Sequence, residues 1–356
     1  MTHGSISNVV GMDTSSKSTT FSSRSGISRT GLEARLFARP EGLPVPGDFE
    51  ITEVAVPHPA SGQVLVRNLF MSLDPGMLML IAGESGLPMP RYEVGEVMYG
   101  DAIGEVVASA DASLDEGDLV MHRLGWREYA VAQAGLFRRV DRDAYPTPST
   151  YLGFGLVAYV GLMDAAELRP GDTVFVSSAA GATGSMAGQI ARLKGASRVI
   201  GSAGSRDKAA HLTGRLGFDA AFDYHDGPIV DRLREAAPEG IDVYFDNVGG
   251  EQLRAAIEIM NPHGRVAVCG ALSRQSEASP GDLLSVLGKR LTIRGFTVGD
   301  HFERAPEFGA QFRTWLREGA IVYDETVIDG LANAPQALLD LVNGAYTGKT
   351  VVRLGS

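Results

Sequence analysis

A glycine-rich turn in the middle of the chain is the residue pattern best suited to chemistry. Ala179, Gly181 and Gly184 stand at the spacing G-x-G-x-x-G, with alanine in the first place. Small residues there keep a strand-to-helix turn tight and let the backbone approach a pyrophosphate. The free N–H groups of a helix starting at Ala182 and Thr183 would bind the phosphate oxygens. The spacing therefore predicts a dinucleotide site.

The residues around the turn predict the elements that such a site needs. A short apolar run at 173–177 indicates a strand buried on both faces. A helix of about a dozen residues and a second strand at 198–202 follow, the latter about 20 residues after the turn. An ordinary strand-to-helix turn remains the alternative, but the ordered set of elements favours the nucleotide site.

The end of the second predicted strand distinguishes between cofactors. An NAD site usually carries Asp or Glu there to hold the ribose hydroxyls. This chain instead continues with Ser205, Arg206 and Lys208, and Asp207 offsets only part of their charge. The missing carboxylate and the two cations favour a 2′-phosphate, so the sequence predicts NADP(H).

Composition limits the kind of protein and its partners. With 356 residues, 44% of them hydrophobic, the chain can form two domains with a large core. A net charge of −11 disfavours nucleic acid and anionic membranes as partners. No apolar run approaches the ~18 residues that span a bilayer, and the start lacks signal-peptide features. The single Cys269 fits a reducing compartment, so we predict a cytoplasmic protein.

The chain divides into four predicted regions. Residues 1–30 are rich in Ser and Thr and predict a flexible tail. Short alternating strands over 31–150 indicate a β-barrel-like domain, and alternating strands and helices over 151–310 indicate a doubly wound parallel sheet. Residues 311–356 are expected to rejoin the first domain through a helix at 332–343 and a strand at 350–354. The predicted fold class is therefore α/β, with a ligand cleft between two domains.

An ordered set of motifs resembles a known family over roughly residues 32–356. The family is the zinc-independent medium-chain dehydrogenase/reductases, and within it the branch of leukotriene/prostaglandin, alkenal double-bond and curcumin reductases. The motifs that carry the resemblance are N-L-F-M-S-L-D-P from Asn68, G-E-V-M-Y-G from Gly95, G-D-L-V from Gly117, G-W-R-E-Y from Gly125, A-A-G-A-T-G-S from Ala179, D-N-V-G-G from Asp246 and N-G-A-Y-T-G-K from Asn343.

The resemblance implies a GroES-like domain joined to a Rossmann domain, usually in a homodimer. It implies that NADPH reduces the C=C bond of a small α,β-unsaturated ketone or aldehyde by hydride transfer to the β-carbon. No metal is expected, because one cysteine cannot supply the ligand sets of zinc members. The implied cofactor contacts are Gly181, Thr183 and Gly184 at the pyrophosphate, Lys208 and Tyr224 at the 2′-phosphate, Asn247, Cys269 and Gly270 at the nicotinamide, and Phe296, Val298 and Asn343 nearby.

The chain departs from the family pattern where a group would stabilise the substrate's carbonyl oxygen. The family motif D-P-Y-M-R is here D-P-G-M-L, with Gly76 and Leu78, and a second family tyrosine is replaced by Gly299. These changes suggest a roomier cleft and a different acceptor. Tyr99 is the candidate for a replacement hydroxyl. Two alternatives stay open: an NADPH:quinone oxidoreductase, and a binding protein or non-redox enzyme that retains NADP(H).

Overall fold

The computed structural model of the protein describes residues 29–83, 89–273 and 283–355. The flexible tail predicted for residues 1–30 lies outside the described residues, except for its last two positions. Among the described residues, no helix is both long enough and apolar enough to cross a membrane.

Short strands make up the first part of the chain. Four of them coincide with strands predicted from the residue pattern at 49–56, 63–71, 104–109 and 118–122, whereas the first, sixth and seventh had no clear sequence signal. The elements are β1 (Thr30–Leu36), β2 (Phe49–Ala55), β3 (Gln63–Ser72), α1 (Met77–Ala82), β4 (Ala102–Ser109), β5 (Leu119–His122), β6 (Tyr129–Gln133) and β7 (Arg138–Arg139). β1 and β2 form an antiparallel pair, and β3 is bonded to both β4 and β6.

Strands and helices alternate in the middle of the chain. The elements are α2 (Gly155–Val160), β8 (Thr173–Val176), α3 (Ala182–Leu193), β9 (Arg198–Ala203), α4 (Arg206–Gly214), β10 (Ala220–Asp223), α5 (Ile229–Ala236), β11 (Ile241–Asp246), α6 (Gly250–Ile259), β12 (Met260–Val268), α7 (Leu283–Lys289) and β13 (Thr292–Gly295). The six strands form one parallel sheet in the order β10-β9-β8-β11-β12-β13. This is the doubly wound Rossmann order, and the predicted α/β fold with a separate β domain is confirmed.

The core of the parallel sheet explains why the central strands read as continuous apolar runs. Val174, Phe175 and Val176 on β8 are fully buried, because helices cover both faces of the sheet. Close packing continues outside the sheet, where a Cβ on Gly188 of α3 would lie 1.9 Å from the Phe218 ring. Gly188 therefore thins α3 where the chain between α4 and β10 packs against it.

The last part of the chain returns to the first sheet. It contains α8 (Ala305–Arg317), β14 (Glu325–Asp329), α9 (Ala334–Val342) and β15 (Lys349–Arg353). β15 runs parallel to β14 and antiparallel to β3, with Val351 opposite Ser72. The chain therefore leaves the first sheet, forms the parallel sheet, and comes back beside β3.

Candidate active site

The glycine turn lies at the point where the strand order reverses, between β8 and β11. A Cβ on Gly184 would lie 2.3 Å from the Ser178 carbonyl oxygen and 2.7 Å from the Ala179 Cα, so the turn itself excludes a side chain there. A Cβ on Gly181 would meet its nearest protein atom only at 3.4 Å. Gly184 is therefore required by the fold of the turn, whereas Gly181 leaves space that the protein does not fill.

The first N–H groups of helix α3 lie at the turn and have no partner within the helix. Gly181 is its N-cap and has no side chain that could cap the helix. The first i to i−4 bond runs from the Ser185 N–H to the Gly181 carbonyl at 3.0 Å, so the N–H groups of Ala182, Thr183 and Gly184 precede the helical ladder. Open N–H groups and the positive end of the helix dipole fit an anionic pyrophosphate.

Ser205 and Lys208 lie together at the start of α4. The Ser205 hydroxyl caps the helix by accepting the Lys208 N–H at 3.2 Å. The Lys208 ammonium donates to the carbonyls of Gly344 and Tyr346, both at 2.6 Å. Burial lowers the pKa of Lys208. Two of its three N–H donors thus bind α4 to the returning tail, and the third, which has no partner among the described residues, could bind a phosphate.

Tyr224 and Arg206 differ in what they can offer a 2′-phosphate. Tyr224 follows β10, is 37% exposed, and a Cβ on Gly204 would lie 3.5 Å from its hydroxyl. Arg206 forms a bidentate ion pair with Asp226, with both N–O distances at 2.9 Å. The neighbouring carboxylate largely neutralises Arg206, which leaves Lys208 as the cation better placed for a phosphate.

Asn247 and Asp246 fix the carboxyl end of β11 beside the turn. The Asn247 amide donates to the Ser177 carbonyl at 2.7 Å, and its backbone N–H donates to the Ser177 hydroxyl at 2.9 Å. The buried Asp246 Oδ1 accepts N–H bonds from Val248 at 2.9 Å and Gly249 at 2.7 Å. These bonds hold the ends of β8 and β11 as one rigid edge.

Cys269 and Gly270 extend this edge to β12. Both of their N–H groups donate to the Asp246 carbonyl, at 2.8 and 3.1 Å, and a Cβ on Gly270 would lie 2.8 Å from the Asn247 carbonyl oxygen. Burial raises the pKa of the Cys269 thiol to about 12, and the Asp246 charge adds to this effect. The raised pKa favours the neutral thiol at ordinary pH, which disfavours a nucleophilic role for Cys269.

Three further predicted cofactor residues lie at the borders of this region. Phe296 packs edge-on against Phe245, with 6.3 Å between the ring centroids, and a Cβ on Gly161 would lie 2.6 Å from the Phe296 ring. Val298 begins a short 3-10 helix, and Asn343 is exposed at the end of α9. The structure gives Phe296 a packing role, and the cofactor contacts of all three stay predictions.

Tyr99 has its hydroxyl occupied within the first sheet domain. The hydroxyl donates to the Pro90 carbonyl, and the ring packs edge-on against Tyr92 with centroids 4.8 Å apart. The Arg123 guanidinium lies 5.2 Å from the centre of the Tyr99 ring. Burial raises the pKa of Tyr99, and the Arg123 charge opposes this shift. Tyr99 would have to release Pro90 before it could donate to a substrate, so its catalytic role stays a prediction.

A buried charged cluster between β3 and β15 received no role from the sequence. Lys349 is 2% exposed, and its ammonium donates to Asp74 Oδ1 at 2.7 Å, to the Leu73 carbonyl at 3.1 Å and to the Ser72 hydroxyl. The available signal was a lysine at the start of the strand that contains Val351 and Val352, since lysine is almost never fully buried unless paired.

Within residues 29–83, 89–273 and 283–355, no group of three or more His, Cys, Asp or Glu side chains is arranged to hold a metal ion.

Comparison with known proteins places this site in a family. The family model described as the N-terminal domain of oxidoreductase matches residues 33–140, and the model described as zinc-binding dehydrogenase matches residues 182–313. The NADPH-dependent curcumin reductase of Escherichia coli is 37% identical over 332 residues, which cover 90% of this chain and 95% of the relative. The NADP(+)-dependent 2-alkenal reductase of Nicotiana tabacum is 36% identical and covers 87% of this chain and 94% of the relative.

A solved structure agrees with the sequence relatives. CurA from Vibrio vulnificus in complex with NADPH matches with a TM-score of 0.86 at 35% identity, over 91% of this chain and 99% of that chain. These matches confirm the resemblance carried by the motifs, and the protein belongs to the zinc-independent branch of the medium-chain dehydrogenase/reductase superfamily.

Proposed function

We propose that the protein is an NADPH-dependent reductase of the C=C bond in small α,β-unsaturated ketones and aldehydes. The observation that carries this proposal is the uncapped start of α3 at Gly181 with Lys208 at the start of α4, in a chain with this family membership. Curcumin and 2-alkenals share a C=C bond conjugated to a carbonyl. That shared group defines the proposed substrate class.

The residues of the chain would bind and orient the reactants, because no metal is expected in this branch. NADPH, when bound, supplies a hydride that adds to the β-carbon of the conjugated carbonyl. The N–H groups at the start of α3 would hold the pyrophosphate, and Lys208 with Tyr224 would hold the 2′-phosphate. Asn247 and Gly270 would border the nicotinamide, because they follow β11 and β12, on the other side of the strand-order reversal from β9 and Lys208. Water would supply the proton to the α-carbon.

Negative charge develops on the carbonyl oxygen during this addition, and a positioned donor would stabilise it. Tyr99 remains our candidate for that donor. If it acts so, Tyr99→Phe lowers kcat/KM about 100-fold, the usual cost of removing such a donor. A loss of only a few-fold would remove Tyr99 from the mechanism and leave the proposed reaction standing.

An NADPH oxidation screen tests the proposed reaction. The purified protein is mixed with NADPH and with 2-alkenals, cyclic enones, a curcumin-like diketone or quinones, and the products are identified by mass spectrometry. Formation of the saturated carbonyl supports the proposal. Faster NADPH consumption with quinones would favour a quinone oxidoreductase. Tight NADPH binding without oxidation by any acceptor would favour a binding protein or non-redox enzyme that retains the cofactor.

The division into domains is also a proposal. We place the substrate-side domain at residues 31–150 and 311–356 and the NADP-binding domain at residues 151–310. The antiparallel pairing of β15 with β3 supports the return of the chain to the first domain. Cys269, the one cysteine of the chain, supports a reducing, cytoplasmic location, which fractionation of cells would check.

We further propose that the protein forms a homodimer through the edge of the parallel sheet. β13 ends the sheet among the described strands, and all four of its residues are exposed. On the preceding α7, Leu283 is 66% and Leu287 is 72% exposed. A second copy that covers this apolar edge would protect it from water. Sedimentation tests the proposal: we expect a dimer for the wild type and a monomer for Leu287→Glu. A monomeric wild type would contradict the proposal.

A further inference from the structure

The dipeptide Gly348–Lys349 touches both sides of the proposed cleft. Its first residue contacts the glycine turn, since the Gly348 N–H donates to the Ala180 carbonyl at 2.8 Å and Gly348 forms a bridge with Gly181. Gly348 has φ +72°, and a Cβ there would lie 2.2 Å from the Asp324 carbonyl oxygen. A glycine is therefore required where the returning tail passes the turn.

The second residue of the dipeptide holds the segment that follows β3. The Lys349 ammonium bonds to Asp74, Leu73 and Ser72, and the Ser72 hydroxyl lies 2.7 Å from both carboxylate oxygens of Asp74. The main chain adds a bond from the Leu73 N–H to the Thr350 carbonyl at 3.1 Å. The lysine is buried and the Asp74 side chain is 20% exposed, so the pair is largely shielded from water and its charge-assisted bonds help to fix the geometry of this segment.

Further groups around the Lys349 ammonium help to hold it between the glycine turn and the segment after β3. Its ammonium lies 4.7 Å from the centre of the Phe154 ring, directly before α2, in a cation–π contact. Burial and the Asp74 charge raise the pKa of the Asp101 carboxyl, while the Arg123 and Lys349 charges oppose this shift. Lys349 is thus the buried cation of a site that also contains two carboxylates.

We infer that Lys349 is a positioning residue for hydride transfer, which it serves by fixing Asp74 and the start of α1 at a set distance from the glycine turn. The segment from Asp74 to Leu78 contains Gly76 and Leu78, where the sequence departs from the family motif D-P-Y-M-R. The inference rests on the proposed function, because the turn must hold the hydride donor and the segment after β3 must border the acceptor. Loss of the ion pair would displace the acceptor relative to the donor while the cofactor contacts remain.

The test uses the double variant K349M/D74N, because removing one partner alone would leave an uncompensated buried charge. The single-turnover rate of NADPH oxidation at saturating cofactor and substrate is expected to fall about 100-fold, as for a displacement of about 1 Å. The Kd for NADPH is expected to change no more than about twofold, because no proposed cofactor contact is altered. The deuterium isotope effect on kcat with C4-labelled NADPH is expected to rise, since hydride transfer becomes rate-limiting.

A second readout does not depend on turnover. Amide hydrogen exchange of residues 73–83 in the cofactor-free protein is expected to accelerate at least about tenfold in K349M/D74N. The matched control is K194M, which removes a lysine at the far end of α3 that also contacts aromatic rings and donates to Gln311. This control is expected to retain the wild-type single-turnover rate and the wild-type exchange of residues 73–83.

Several results would overturn the inference. One is a wild-type hydride-transfer rate in K349M/D74N. Another is unchanged amide exchange of residues 73–83 in that variant. The third is a loss of hydride-transfer rate in K194M as large as that in K349M/D74N. If the double variant does not fold, S72A keeps both charges and removes only the bridging hydroxyl, and unchanged rate and exchange in S72A would equally refute the inference. A wild type that reduces no conjugated acceptor would refute the proposed function, while the exchange experiment would still decide the role of Lys349.

Discussion

Two glycine-bearing segments of the protein, the turn after β8 and the segment after β3, have glycines for opposite physical reasons. In the turn, a Cβ on Gly184 would overlap the Ser178 carbonyl. After β3, a Cβ on Gly76 would meet no heavy atom of the described residues within 4 Å, and its backbone, at φ −59° and ψ −21°, lies in the ordinary helical region. The same holds at Gly299, where the nearest atom is the Thr297 hydroxyl at 3.7 Å.

The difference separates what the fold requires from what the ligand requires. Gly184 cannot change without moving the backbone that forms the dinucleotide turn. A Cβ at Gly76 or Gly299 would lie no closer than 3.7 Å to the described residues around it, so local packing there does not explain why they are glycines. We attribute these two glycines to the space that the acceptor needs. On this view, residues on the substrate side can be exchanged with less effect on the fold than residues in the glycine turn.

The largest expected effect comes from filling the turn. Gly184→Val should lower the free energy of unfolding by about 1–3 kcal/mol through overpacking. It should also raise the Kd for NADPH by about 100-fold or more, because at least two charge-assisted phosphate bonds of about 1.5–3 kcal/mol each are lost. Thermal unfolding and fluorescence titration with NADPH measure the two quantities.

Gly181→Ala is the matched control for this prediction. Its Cβ fits against the protein at 3.4 Å, so the free energy of unfolding should stay near the wild-type value, while NADPH affinity falls because the methyl group occupies the face toward the phosphates. NADPH binding of Gly184→Val at wild-type strength would show that the turn is not the pyrophosphate site.

The next effect concerns the choice between NADPH and NADH. Lys208→Met should weaken NADPH binding about tenfold, because one charge-assisted bond to the 2′-phosphate is lost. NADH affinity should change little, since NADH lacks that phosphate. The same titration on Arg206→Met is the control and should give a smaller loss, because Asp226 already pairs with that arginine. Equal losses for both cofactors in Lys208→Met would contradict the assignment.

The smallest effect is expected on the substrate side. Gly76→Tyr should leave the unfolding temperature and NADPH affinity unchanged, because the position is open. It should lower kcat/KM for a curcumin-sized acceptor about tenfold relative to a short 2-alkenal, as expected when a side chain narrows a pocket. Gly76→Ala is the control and should resemble the wild type with both acceptors. A loss of stability in Gly76→Tyr would mean that the fold, and not the acceptor, requires this glycine.

The sequence predicted well those strands whose pattern lies within a few neighbouring residues. β8, β9, β10 and β11 lie between turn residues, and their observed positions agree closely with the strands expected from the sequence at 173–177, 198–202, 220–223 and 241–246. β13 was missed because it is a short edge strand of four exposed residues without an apolar pattern. β12 was expected over 264–269 but begins at Met260, because its pairing with β11 starts opposite Ile241 before a register shift.

The sequence by itself determined the dinucleotide turn, the strand and helix alternation around it, and the family, since each rests on spacing between near neighbours. Only the tertiary structure decided that Lys208 binds the carbonyls of Gly344 and Tyr346, and that Lys349 pairs with Asp74, which lies 275 residues away in sequence. Contacts between residues so far apart in the chain produce no periodic pattern in the sequence that could predict them. They form because a charge buried when β15 packs beside β3 must find a partner wherever the fold provides one.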